Sequence, residues 1–163
     1  MAGAQEKPVG EKPAERRDEI DMGDLPDLIG FNLRCAQVST FQHFNRTVGE
    51  ADISPPQYGA LVLIDANPGI SQSAIASALR FDRSTLVQII DRLEERGLVV
   101  REVSAHDRRS HALKITDAGA SVLLDLKNRV AEHEAHIAQS LTADEKDMLV
   151  ALLSRLHSTP LTD

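Results

Sequence analysis

The chain is poor in cysteine and in aromatic rings: its 163 residues hold one cysteine, Cys35, no tryptophan, one tyrosine and four phenylalanines. A lone cysteine excludes an internal disulfide framework and a cysteine-built zinc knuckle. So few rings exclude the stacking platforms on which single-stranded nucleic acids are held. No run of about 18 apolar residues occurs, so no membrane-spanning helix is expected, and the N-terminus lacks the apolar stretch of a secretory signal. The expected location is the cytoplasm. Missing too are a glycine-rich phosphate loop, a nucleophile–base arrangement and a ligand set for a catalytic metal, so neither an enzyme nor a cofactor is expected.

What is present suits one domain of ordinary size with enough apolar content for a core. Residues 1–23 are rich in Glu, Lys, Pro and Gly and read as a disordered tail, leaving 24–163 as a single domain. The net charge of −7 speaks against a nucleic-acid partner until its distribution is read. Between 80 and 114 there are eight basic residues against six acidic, and every other stretch is net acidic. A local cationic surface on an acidic body can grip phosphates in one place and repel nucleic acid elsewhere.

Apolar residues from Leu25 to about Val48 recur at helical spacing but cover more than one face, so that helix must be covered from two sides. A second copy of the chain is the expected second cover. Ser54 before Pro55 starts the next helix, which Asn67-Pro68-Gly69 stops. Ser71 caps a short helix through Leu79, and a turn leads to Asp82, the cap of a helix from Arg83 to Arg96 that Gly97 closes. Two short helices joined by a tight turn form a helix-turn-helix. Strands over 98–103 and 110–115, joined by a polar turn, add a hairpin wing. Thr116 caps a long helix to about Ser140, and Thr142 with Glu145 forms a capping box opening the last helix. The expected fold is mainly α with a small β-hairpin wing. A winged helix-turn-helix occupies 54–116, and helices over 24–50 and 117–158 serve dimerisation.

This arrangement fits duplex DNA. Leu86, Ile89, Ile90 and Leu93 make the inward stripe of the second helix, while Arg83, Ser84, Thr85, Gln88 and Arg92 share the outward side, where short polar and cationic groups can meet base edges. Ser71, Gln72 and Ser73, at a helix N-terminus, suit a phosphate. Arg80, Arg101 and His111 are further candidates for the backbone. Arg108 and Arg109 at the wing tip suit a narrow minor groove, with Asp107 bracing the turn.

The runs Gln72–Leu79, Arg83–Val87, Asp91–Val99, Asp107–Ser110 and Leu113–Gly119 together resemble the MarR family of regulators, over about residues 25–158. The stretch Asp91-Arg92-Leu93-Glu94-Glu95-Arg96-Gly97-Leu98-Val99, followed at the right distance by Asp107-Arg108-Arg109, is its most specific part. The wing turn departs from the pattern, with Ser104-Ala105-His106 where many members carry an acidic residue and a proline. The resemblance implies a homodimer reading a pseudo-palindromic operator, often as a repressor. It implies release by a small molecule, commonly an aromatic carboxylate or an aryl-CoA thioester and in some members an oxidant or zinc.

For an effector pocket, Phe31, Arg34, Cys35 and Val38 on the first helix with Tyr58 and Leu61 on the second would bury an aromatic ring and pair its carboxylate. Cys35 beside Arg34 offers a redox alternative. A winged-helix module for protein contacts is another alternative. Glu132, His133 and His136 read as a solvated or dimer-edge group rather than a metal site, and His43, His106, His111 and His157 as scattered.

Overall fold

The computed structural model describes residues 20–103 and 111–158. They fall into two compact units, one ending at Cys35 and the other beginning at Ala36. Most of the expected tail, and the wing turn with it, lies outside the described residues.

Leu25–Asp27, in the first unit, forms a single 3-10 turn, and α1 (Ile29–Val48) has its first seven residues in that unit and the rest in the second. The helix therefore starts four residues later than its apolar pattern indicates. Leu28 is extended, with ψ of 127°. The Asn32 amide donates to the carbonyls of Pro26 and Leu28 at 2.7 and 2.9 Å, holding the turn against the helix start.

The second unit contains the remaining elements: a 3-10 turn at Gly49–Ala51, α2 (Pro55–Ala66), β1 (Ile70–Ser71), α3 (Gln72–Leu79), α4 (Arg83–Glu95), β2 (Val99–Val103), β3 (His111–Ile115), α5 (Asp117–Ile137) and α6 (Ala143–Ser158). Each helix start follows local chemistry. Ser54 and Gln57 form a reciprocal capping box on α2. Ser71, Asp82 and Thr116 accept from Ala74 N, Thr85 N and Gly119 N. Thr142 and Glu145 exchange bonds at the start of α6.

The sheet has three antiparallel strands in the order β1-β3-β2, with Ile70 opposite Leu113 and Val99 opposite Ile115. Only the outer hairpin is legible in the sequence; β1 is two residues long, too short for any alternation to show. Its core lies where α2, α3, α4, α5 and the sheet meet: Leu61, Ile64, Ile75, Leu86, Ile90, Leu93, Val99, Leu113, Leu123 and Leu126 are all fully buried.

Other apolar residues are bare. From α1 only Phe44 and Val48 are buried, while Val38 and Phe41 are exposed. No residue of α6 is buried, and Met148, Leu149, Leu152 and Leu156 lie open on it.

One junction sets how α5 leaves the winged part. Thr116 Oγ1 donates to the Gly97 carbonyl at 2.7 Å and accepts from Gly119 N at 3.0 Å, while Thr116 N donates to the Leu98 carbonyl at 3.0 Å. Gly97, at φ 69°, takes the left-handed conformation that lets α4 turn into β2. A Cβ at Gly119 would stand 2.0 Å from the Leu98 carbonyl oxygen, so only glycine permits this approach. Gly119→Ala is expected to lower unfolding stability by about 2–3 kcal/mol through forced overpacking. Urea denaturation checks this, and an unchanged midpoint would remove the argument.

Candidate nucleic-acid interface

α4 carries the outward polar face because its inward face is fully committed: Leu86, Ile90 and Leu93 are buried, one to a turn. Arg83, Ser84, Gln88 and Arg92 are exposed, and Thr85 is half-buried. Asp82 organises the first turn more extensively than a simple cap. Its carboxylate accepts from Thr85 N at 2.8 Å, from Ser84 Oγ at 2.5 Å and from Thr85 Oγ1 at 2.6 Å. These bonds, those from the two side chains foremost, hold the Asp82 carboxyl well below the usual carboxylate range. Ser84 and Thr85 consequently turn their hydroxyl hydrogens inward and offer lone pairs outward as acceptors.

The start of α3 lies one helix earlier in the chain. Ser71 Oγ accepts from Ala74 N at 3.2 Å and lies 3.0 Å from Ser73 Oγ. Arg80, in the inter-helix turn, has a left-handed backbone at φ 57°, and its guanidinium stands 3.2 Å from His157 Nδ1.

Arg101 departs from its expected role. Its guanidinium forks across α4, with one terminal nitrogen 2.5 Å from Asp91 and the other on Glu94. With its oxygen facing Arg101, the Gln72 amide accepts from Nε and a terminal nitrogen, both at 2.9 Å. Arg101 thus ties β2 to α4 and α3 instead of presenting a free charge to phosphate, and Gln72 belongs to the same knot. Arg108, Arg109 and Asp107 lie outside the described residues, and His111 is described only as backbone at the start of β3.

Two open clefts flank α1. A cleft of about 580 Å³ includes Asn45, Asp52, Gln57, Arg92 and Arg96 in its lining. Arg96 donates to the carbonyls of Ala51 and Asp52 at 2.9 and 2.5 Å. A second cleft, of about 360 Å³, lies between α1 and the C-terminal end of α5.

The residues expected to form the effector pocket divide between the two units. Phe31, Arg34 and Cys35 belong to the first unit, and the Cys35 thiol is free and exposed. Val38, Tyr58 and Leu61 belong to the second. Leu61 has no exposed surface and is a core residue, so it lines no open pocket. Both faces of α2 are apolar, and the sequence pattern does not say which one the core takes.

The histidines are arranged differently from the expectation. His133 is buried, not solvated. His43 Nδ1 lies 2.8 Å from His133 Nδ1, and the His43 ring stacks on His136 with centroids 3.9 Å apart and planes 8° off parallel. Phe44 meets His133 edge-on at 5.5 Å. Among the described residues no three His, Cys, Asp or Glu side chains converge as metal ligands.

Comparison with known proteins agrees with this architecture. A model of the MarR family matches residues 51–110. A transcriptional regulatory protein for the hcr operon of Thauera aromatica is 37% identical over 140 residues, covering 85% of this chain and 84% of that protein. The transcriptional repressor CouR, solved on a 23-mer DNA duplex, is 40% identical with a TM-score of 0.82, over 86% of this chain and 99% of that one. CouR bound to p-coumaroyl-CoA is 38% identical at a TM-score of 0.80, over 87% and 100% of the two chains. PcaV of Streptomyces coelicolor, with its natural ligand, is 28% identical at 0.77, over 86% and 99%.

The Arg101 knot yields a test that separates structure from contact. Arg101→Ala leaves Asp91 and Glu94 without their cation and is expected to lower stability by about 1 kcal/mol, the partly exposed pairs being discounted for solvent screening. Arg101→Lys recovers only part, because an ammonium cannot fork across two carboxylates. Were Arg101 a phosphate contact, its removal would instead lower the salt slope of DNA binding by about one and leave stability alone.

Proposed function

The chain belongs to the MarR family, and from that premise we propose that it is a homodimeric repressor. It binds a pseudo-palindromic operator in duplex DNA and is released by an aromatic carboxylate or its CoA thioester. The observation that carries the reading is the divided α4. One side is locked into the core by Leu86, Ile90 and Leu93, and the other offers Arg83 and Gln88 to solvent. Such a helix enters the major groove with its N-terminal half against base edges. Arg83 then reads guanine or grips a phosphate, and Gln88 reads adenine. Ser71 and Ser73 at the start of α3 hold the backbone from one side. Arg108 and Arg109, which follow β2 in the chain, supply cations for the adjacent minor groove.

Dimerisation is supported by the exposed apolar side chains of α6 and by Val38 and Phe41 on α1, which form more bare apolar surface than one chain leaves uncovered without a purpose. A two-fold pair of α4 helices would read half-sites about 34 Å apart, one turn of the duplex. The thioester is supported by p-coumaroyl-CoA on CouR, and control by a ligand more broadly by PcaV with its natural ligand. The protein acts in the cytoplasm, beside the DNA. Among the described residues no helix is long and apolar enough to cross a membrane. The molecule works by binding and carries no chemistry of its own.

A gel-shift titration on the DNA upstream of its own coding sequence tests the reading. Specific retardation is expected, with affinity falling by orders of magnitude between about 50 and 200 mM salt. Arg83→Ala and Gln88→Ala should each reduce discrimination between operator and mutated operator by about 1–3 kcal/mol. Adding p-coumaroyl-CoA or a related thioester should release the DNA. Binding that ignores sequence, or a monomer in sedimentation, would overturn it.

A further inference from the structure

The cleft of about 360 Å³ between α1 and the end of α5 has an unusual wall. Its charged and titratable members are Arg46, His43 and His136, its remaining polar members are hydroxyls and amides such as Ser39, Thr40 and Gln139, and it contains no carboxylate. Arg46 is exposed, and among the described residues no carboxylate pairs with it. On a protein of net charge −7 an unpaired arginine facing a polar cleft beside two imidazoles is the reverse of the prevailing surface.

We infer that this cleft is an oxyanion site, in which Arg46 with His43 and His136 holds the carboxylate or phosphate of the effector. The inference rests on the proposed function for the identity of its natural occupant. Arg46 provides the permanent charge and a planar fork suited to two oxygens. The hydroxyl and amide groups supply neutral donors around it.

The imidazoles add charge on demand. An Nδ1–Nδ1 separation of 2.8 Å requires one nitrogen to donate and the other to accept, so His43 and His133 share one proton between those atoms. Further protonation must occur at an Nε2. His43 is held below the ordinary imidazole range, first by burial and then by His136, His133 and Arg46. Burial does the same to His133, with His136 adding to it and Glu134 opposing it. His43 and His133 therefore carry little charge at neutral pH. An oxyanion reverses the electrostatic balance, raises the imidazole affinity for protons and draws one in. A metal ion does not fit the same atoms. The stacked rings of His43 and His136 lie in nearly parallel planes, so their in-plane lone pairs do not converge.

The test follows the imidazole Cε1–Hε1 signals of the full chain by NMR across pH, alone and with p-coumaroyl-CoA, CoA, p-coumarate or inorganic phosphate. Calorimetry runs in parallel at about pH 6 and pH 8. Expected are raised titration midpoints of His43 and His136 with a bound anion, and affinity up to about tenfold tighter at the lower pH, within the limit for one linked proton. Arg46→Gln should weaken binding at least about tenfold, and Arg46→Lys should keep part of it, as a point charge does. Response to p-coumarate assigns the site to a carboxylate, and response to CoA and phosphate assigns it to a phosphate. If the thioester binds and releases DNA while both histidines stay unmoved and Arg46→Gln binds normally, the inference falls and the proposed function stands. If phosphate moves the histidines but no aromatic acid or thioester binds, the inference stands and the effector reading falls. If nothing binds or shifts, both fall.

Discussion

The burial of one stripe of α4 is the constraint on which the other features depend. Leu86, Ile90 and Leu93 have essentially no exposed surface, and once they are fixed the rotation of the helix about its axis is fixed too. Arg83, Ser84 and Gln88 then have nowhere to go but outward. The rest of the winged part braces that rotation. Asp82 stitches the first turn, Gly97 and Thr116 close the last, and Arg101 grips the helix from the strand beside it. A recognition helix needs such bracing because base-edge hydrogen bonds tolerate little angular error.

Charge is sorted around the same helix. Asp91 and Glu94 would repel DNA if left open, and Arg101 covers both. Glu102 is likewise matched by Lys114 across the hairpin at 2.7 Å. The basic count between 80 and 114 therefore overstates the cations available to phosphate, since part of it neutralises local acid. Among the described residues of that stretch, Arg83 and Arg92 stay exposed and outside these ion pairs, on an otherwise acidic protein. Such a distribution favours a defined site over indiscriminate adhesion to nucleic acid.

Features set by neighbours in sequence are legible there. The caps Ser54, Ser71, Asp82, Thr116 and Thr142 each act within three residues, so spacing alone reveals them. Features set by the meeting of distant segments are not. Arg101 looks like any exposed strand arginine until α4 places Asp91 and Glu94 beside it. His43 and His133 are 90 residues apart and nothing local links them. The assignment of Leu61 to a pocket fails for the same reason, because α2 is apolar on more than one face and only the fold selects which is buried. β1 escapes notice by being two residues long, and its pairing depends on Leu113 more than forty positions away.

α5 gives the α1 cleft a mechanical reach to the DNA-reading part. The helix is 21 residues long, about 30 Å at the usual rise, and both of its ends are engaged. At its start Gly119 packs directly on the Leu98 carbonyl and Thr116 bonds the turn that ends α4. Near its finish His133 and His136 meet His43. Along its length Leu123 and Leu126 are buried in the core, and Lys127 reaches Asp65 on α2 at 3.1 Å. One helix thus joins the inferred oxyanion site at its finish to the turn that ends α4 at its start. A pair of α4 helices reading one operator must sit about one duplex turn apart, so their placement is what such a connection bears on.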